Sequence, residues 1–385
     1  MNIRFSLLGA ALALTSAVFA DVDWMVLPRY SRSGRMLLHG TRDAAFRDGQ
    51  PVRIVPLVRL HTPKPENGAK YKFLRLGIVC GINEKGLACF WTNGDPTHDR
   101  NPAKKAGVLE PRAAAVAMLR HCATAKEAAA YLRRAFDRKL VCGSAIFFVA
   151  DANRAQVIEC SPRHFASWEL ARPFCIYSNC WRLPGMDDGS ANPIGRATTY
   201  YEREWVVREA LRGPFDERGT ISVADSIRAS RVNAAEANGE AFAKRRGPAQ
   251  VTAAAFNRNS ADSYLFEIDS EFPGELSCVY AALGPQRHTV YLPIPLAAAD
   301  QLPEVLSSEQ WSEQAVRLLA AANGEDPVRP ELLEFERRQI ADFAEARERA
   351  RHLLQRDRCD EARQLLRETL ARQTAETLEF LTKLQ

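Results

Sequence analysis

Two spacings of apolar residues divide this chain. From about residue 23 to 300 they fall in short continuous or alternating runs punctuated by Gly and Pro, a pattern of strands joined by tight turns. Runs at 24–27, 35–38 and 52–55 come first. Phe73 to Cys80 and Leu87 to Trp91 then flank the turn Asn83-Glu84-Lys85-Gly86, which predicts a hairpin. Residues 111–137 are rich in Ala and Leu at helical period, with Thr124 placed to cap a second helix starting near Lys126. A second hairpin joins Ser144–Ala150 to Gln156–Glu159 through Asp151-Ala152-Asn153-Arg154. Further strands are expected at 165–169, 174–178, 250–256, 263–267 and 277–291, and helices at 198–212 and 222–230.

From about 307 the pattern turns wholly helical. Over 331–355, Leu332, Leu333, Phe335, Ile340, Phe343 and Ala344 share a face, and 361–384 continues the style after the break Arg356-Asp357-Arg358. This predicts a helical hairpin packed on the main domain. A solvated interaction arm is the alternative that its mixed charge allows. Strands joined by hairpins and interrupted by paired helices predict an α+β fold, with layered antiparallel sheets covered by helices. The expected organisation is a leader over 1–20, a main domain over 21–305 and a helical extension over 306–385.

Composition changes this picture little. The 385 residues are 46% hydrophobic and 26% charged, with 21 Gly and 21 Pro, which excludes disordered, collagen-like and small disulfide-scaffold classes. The net charge of +5 is spread without a basic block, so no nucleic-acid partner is expected. Residues 1–20 say more. Arg4 precedes an apolar run from Phe5 to Leu14, and Val18 and Ala20 stand where a signal peptidase needs small residues. The expectation is a secretory signal, export to the periplasm or exterior, and a mature chain beginning at Asp21. A retained anchor is the other reading, although the run is short for a bilayer and no other stretch approaches ~18 apolar residues.

Nine cysteines (Cys80, Cys89, Cys122, Cys142, Cys160, Cys175, Cys180, Cys278 and Cys359) give an odd count without a C-x-x-C pair. The seven His show no ligand spacing, and no phosphate-binding, dinucleotide or G-x-S-x-G motif is present. Neither metal nor cofactor is expected.

The hairpin Gly81-Ile82-Asn83-Glu84-Lys85-Gly86-Leu87-Ala88, followed by Asn93-Gly94, resembles that of the choloylglycine hydrolase and penicillin acylase group of N-terminal-nucleophile (Ntn) hydrolases. That group is related to secreted dipeptidases and to the acyltransferases that attach side chains to penicillins. Three further passages resemble it: Gly34-Arg35-Met36-Leu37-Leu38-His39-Gly40-Thr41-Arg42-Asp43; Gly143-Ser144 through Ile158-Glu159 to Ser178-Asn179-Cys180-Trp181; and Gly284-Pro285 with Val290-Tyr291-Leu292-Pro293. The last is closest to the dipeptidase branch. The resemblance spans roughly 21–385 in scattered motifs. It implies a four-layer αββα sandwich with a C-terminal helical hairpin, and a small-molecule or peptide amide as substrate or ligand.

The chemistry implied is acyl transfer by a side chain on the first residue of the mature chain. Its own α-amine, with a reference pKa of ~7.7–8, is the adjacent base. A carboxylate holds the amine, a cation steadies the nucleophile, and two Asn amides stabilise the oxyanion. By resemblance the nucleophile lies 22 residues before Asp43, with a W-M-V-L-P run behind it. Both this spacing and the expected signal cut fall on Asp21. An Asp there is a poor nucleophile, because carboxylate attack on an amide gives a labile anhydride. The resemblance thus implies an impaired amide hydrolase or acyltransferase, with a non-catalytic ligand-binding or scaffold protein as the alternative. Mature starts at Ser16 or Ser31 would break the spacing.

Asp43 would hold the α-amine or stabilise a turn. Asn93 and Asn179 would be the oxyanion donors, Asn93 competing with a plain Asn-Gly turn. The group's cation falls on Gly40, and Arg42, two residues along the same strand face, could replace it. Arg196 is either the group's late arginine or a helix-start surface residue. His39, Asn83 and Glu84 read as structural, and Cys80 and Cys89 as packing residues.

Overall fold

β-Branched and aromatic residues at strand spacing build two antiparallel sheets in this computed structural model. It describes residues 22–43, 46–47, 50–51, 58–63, 68–77, 80–95, 97–102, 107–186, 199–233, 236–237, 260–308, 310–311, 313–314, 317 and 328–384. The expected leader over 1–20 and the expected strands at 52–55 and 250–256 lie outside these residues. The strands are β1 (Val22–Val26), β2 (Met36–Asp43), β3 (Phe46–Arg47), β4 (Gln50–Pro51), β5 (Val58–His61), β6 (Phe73–Leu76), β7 (Cys80–Asn83), β8 (Ala88–Asn93), β9 (Ala145–Ala150), β10 (Ala155–Cys160), β11 (Phe165–Glu169), β12 (Phe174–Ser178), β13 (Ser260–Ile268), β14 (Cys278–Ala282) and β15 (Tyr291–Pro295). The longer helices are α1 (Pro111–His121), α2 (Ala125–Asp137), α3 (Thr199–Arg218), α4 (Val223–Ala229), α5 (Pro330–Leu354) and α6 (Cys359–Lys383).

One sheet runs β12-β1-β2-β13-β14-β15 and the other β11-β10-β9-β8-β7-β6-β5, while β3 and β4 form a separate two-stranded antiparallel ribbon. Alternation sorts their side chains. Met25, Met36, Leu38, Tyr264 and Phe266 meet Ile82, Phe90, Phe148 and Val157 between the sheets. The outer face of the seven-stranded sheet carries Cys89, Phe147, Val149 and Ile158 beneath α1 and α2. The outer face of the six-stranded sheet carries Trp24, Leu37, Leu265 and Tyr280 beneath α3, α4, α5 and α6. The fold is therefore the four-layer αββα sandwich with a C-terminal helical hairpin that the sequence resemblance implied.

Local chemistry sets most boundaries. Thr124 caps α2 by accepting the Glu127 N–H at 3.2 Å. The run expected as one strand over 277–291 is two strands, β14 and β15, because Gly284-Pro285 interrupts the ladder. α3 continues to Arg218 past Pro214, its far end held by buried Leu211 and by Phe215 against Phe174. All nine cysteines are free thiols; Cys142 is half-buried, Cys359 exposed and the other seven buried.

Asn83 ties the first hairpin to its covering helix. Its amide donates to the Leu119 and Cys122 carbonyls at 2.9 and 2.8 Å, and its oxygen accepts the Lys85 and Leu87 N–H groups at 3.0 Å. Every hydrogen-bonding capacity of this fully buried side chain is used. Asn83→Ala strands two carbonyls and two N–H groups and is expected to cost about 3 kcal/mol or more in urea unfolding. Asn93→Ala, at an exposed position of the same hairpin, should change stability by no more than about 0.5 kcal/mol.

Candidate functional site

β1 lies between β2 and β12, and the register of its first residue shows what its N-terminal end adjoins. Val22 pairs with Ser178 and Trp24 with His39. The N-terminal end of β1 therefore lies beside the Thr41–Arg42 end of β2 and the Ser178–Asn179 end of β12. Asp21 and Arg196 are outside the described residues. Asp43 ends β2 opposite Ser260.

The face between the sheets at this end carries Asp23, Arg42, Asp262 and Thr92. Asp23 is fully buried and accepts the Thr41 N–H at 3.2 Å. Sequence reasoning passed over it, although a carboxylate in the otherwise apolar strand Val-Asp-Trp-Met-Val was a visible signal. Gly40 faces the opposite sheet, where a Cβ would come within 2.3 Å of the Phe90 ring. The place where the resemblance puts a cation is thus filled by an aromatic ring. Arg42 shares that face but is ion-paired, its Nε donating to Asp262 Oδ1 at 3.0 Å and its Nη2 to Oδ2. Burial works against its charge, and the Asp262 carboxylate raises its pKa nonetheless. Its Nη1 has no partner among the described residues.

The two asparagines meet at the end of β8, but unequally. Phe90 faces the other sheet, so Thr92 does too, while Asn93 is exposed on the alternate face. Asn179 spans the gap between the sheets. Its Nδ2 donates to Thr92 Oγ1 at 2.6 Å and to the Asn93 carbonyl at 3.0 Å. Exchanging its amide atoms would set two carbonyl-type oxygens 3.0 Å apart, so the hydrogen-bond network fixes this orientation. Both amide hydrogens are then spent. The buried Oδ1, with no partner among the described residues, offers an acceptor.

Carboxylates pin the segment that carries Asn179. Asp95 accepts the Trp181 N–H at 3.0 Å, and Gly94 lets the indole close over the turn, since a Cβ there would stand 2.4 Å from Trp181 Nε1. Glu159, fully buried on β10, accepts the Arg182 N–H at 2.8 and 2.9 Å and the Leu183 N–H at 3.0 Å. Burial pushes its carboxyl up to about 7, against those bonds. Glu204 of α3 accepts the Ser178 N–H at 2.8 Å and pairs with the Arg182 guanidinium.

The remaining sequence candidates sit elsewhere. His39 faces the helices, stacked on Trp24 at 3.5 Å, with Nε2 2.8 Å from Ser263 Oγ; burial holds its pKa well below the usual value. Cys80 and Cys89 are buried, and burial raises both thiols. Among the described residues, no three His, Cys, Asp or Glu side chains form a metal-binding group, and no helix is long and apolar enough to cross a membrane.

No protein-family model and no curated protein matches the sequence. Solved structures do align with the chain. A conjugated bile acid hydrolase variant from Clostridium perfringens shares 10% identity over 71% of this chain and 91% of its own, with a TM-score of 0.41. An N-acylethanolamine-hydrolyzing acid amidase ortholog from Caenorhabditis elegans shares 13% over 63% and 91%, at 0.38. Penicillin V acylase from Agrobacterium tumefaciens shares 15% over 75% and 88%, at 0.37. At such values the fold rests on its own sheet topology.

Glu159 supplies a pH test of the 179–183 anchor. Its carboxyl titrates near 7 folded and near 4.5 as a free group, so the folded state holds the extra proton between those values. Stability from this group falls as pH rises through that window. Wild type should lose on the order of 3 kcal/mol relative to Glu159→Gln between pH 4.5 and 7.5 in denaturant titrations. Parallel curves for the two proteins would refute the assignment.

Proposed function

We propose that this chain is an exported relative of the Ntn amide hydrolases in which acyl transfer at the mature N-terminus is impaired. In this reading Asp21 is the first residue of the mature chain and occupies the nucleophile position. The observation that carries the reading is the state of Asn179. An oxyanion needs N–H donors aimed at it, and both hydrogens of this amide are committed within the protein. Arg42, the replacement cation, is neutralised by Asp262. The neighbourhood of the β1 end therefore lacks a described Asn donor for a tetrahedral intermediate, besides lacking a thiol or hydroxyl at residue 21.

The second reading, a binding protein that uses the same pocket for a small amide or peptide ligand, draws support from Asn179 Oδ1. A buried acceptor suits an N–H or ammonium group better than a developing negative charge.

The test begins with the N-terminal sequence of the exported protein, expected to start at Asp21; another start removes the placement. Wild type and Asp21→Cys are then assayed on a conjugated bile acid, an N-acylethanolamine, penicillin V and dipeptides. Turnover is expected only from the variant. Adding Thr92→Ala to that variant frees one Asn179 N–H and should raise kcat about tenfold or more, since a single oxyanion donor is worth ~10²–10³ in rate. Wild-type turnover refutes the impairment, and silence from every protein favours the binding reading.

A further inference from the structure

β12 is an edge strand, paired with β1 on one side only. The Ser178 N–H points away from β1, because it is donated to Glu204. Strand alternation sends the N–H groups of Ile176 and Phe174 the same way, and Pro173, one step out of phase, accepts the Leu27 N–H on the β1 side. No acceptor among the described residues meets the Ile176 or Phe174 N–H. This edge opens on a cleft of about 840 Å³, walled by Trp168, Phe174, Ile176 and Phe215.

The cations around the cleft divide into two kinds. Arg182 is spent, paired with Glu204 and held 5.1 Å from the rings of both Tyr177 and Tyr201. Arg212 pairs with Asp216 at 3.0 Å. Arg172 and Arg208 also line this cleft; neither forms a close ion pair among the described residues, although Arg208 lies near enough to Glu204 to oppose the rise that burial gives its pKa. Strand-edge donors without an acceptor among the described residues, aromatic walls and two guanidiniums without a close ion pair thus converge on one cleft.

We propose that this cleft binds an extended apolar peptide with a free C-terminal carboxylate, added as a further strand to the edge of β12. The backbone edge supplies the ladder, the aromatic walls take alternate side chains, and Arg172 or Arg208 takes the carboxylate. With the Ser178 N–H already taken by Glu204, the open stretch is Phe174 to Tyr177, roughly 13 Å, which matches a ligand of about four residues. A long-chain carboxylate would use the walls and the arginines but leave the edge N–H groups unmet. The site lies on the opposite side of β12 from β1 and stands independently of the terminal-nucleophile reading.

Fluorescence anisotropy on the exported protein tests this with a fluorescein-labelled tetrapeptide alternating leucine and phenylalanine. The free acid should bind in the micromolar range. Its C-terminal amide should bind about tenfold more weakly, the effect of losing one charge-assisted bond. Methylating one of the two alternate sets of amide nitrogens should abolish binding, while methylating the other set is tolerated. The Arg172→Gln/Arg208→Gln double variant should bind acid and amide alike. No binding of the acid, equal binding of all forms, or a double variant that keeps the preference overturns the proposal. So does dodecanoate displacing the peptide with no sensitivity to amide methylation, which would make the cleft an amphipathic-anion site.

Discussion

Everything at the candidate site follows from the placement of β1 as an interior strand, hydrogen-bonded on both sides and buried on both faces. Its five residues are all buried, so the strand can neither slide nor rotate without moving apolar side chains to the wrong layer. A one-residue slip would send Trp24 between the sheets and Asp23 under the helices. The stacking of Trp24 on His39 and the acceptance of the Thr41 N–H by Asp23 register the two faces at once. That fixed register is what brings Arg42, Asn179 and Thr92 to the same end of the sandwich.

A site held this rigidly is shaped by which polar groups are already satisfied. Arg42 and Asp262 are both buried, and removing either would leave an uncompensated charge at a cost of about 3–5 kcal/mol. The pair is therefore stable as a pair and unavailable as a free cation. The same logic applies to Asn179, whose two donated bonds link one sheet to the other. Phe90 against Gly40 completes the pattern: volume that could hold a functional side chain holds packing instead. The three features together commit the polar groups and the volume at the end of β1 to internal pairing and packing.

Much of the fold was legible in the sequence because its signals are local. Asn83-Glu84-Lys85-Gly86 read as a turn, Thr124 as a cap, and the one-faced apolar spacing over 331–355 and 361–384 as paired helices, and each depends on nearby residues. The candidate site was less legible. Asn93 matched in spacing, yet strand alternation turns it outward and presents Thr92 inward; that parity is set by the register of β8 against β9, which no local motif encodes. Likewise Arg42 could be placed on the correct face, but its partner Asp262 lies 220 residues away on β13. Asp23 belongs to none of the passages that carry the resemblance, and a buried carboxylate is conspicuous only once burial is known.

The C-terminal helices show the same dependence on distant partners, and their attachment decides whether the tail is an arm or a layer. Glu267 on β13 is fully buried, accepts the Tyr280 hydroxyl at 3.0 Å and pairs with Arg347 of α5 at 2.5 Å. Its neighbouring cation lowers its pKa despite the burial. Glu336 of α5 takes both Arg231 nitrogens at 2.7 Å and the Tyr291 N–H at 2.7 Å. Phe343 meets Tyr280 edge-on between these two points. Without α5, Glu267 would keep the Tyr280 hydroxyl and Arg35 at 3.7 Å but lose its closest cation, Arg231 would keep the Gln286 and Thr289 carbonyls but lose its carboxylate, and the outer face of β13–β15 would lose Phe343 and Ala350 from its cover. A solvated arm could not satisfy those groups. The mixed charge that made the tail look solvent-facing is partly the charge that the sheet beneath it requires.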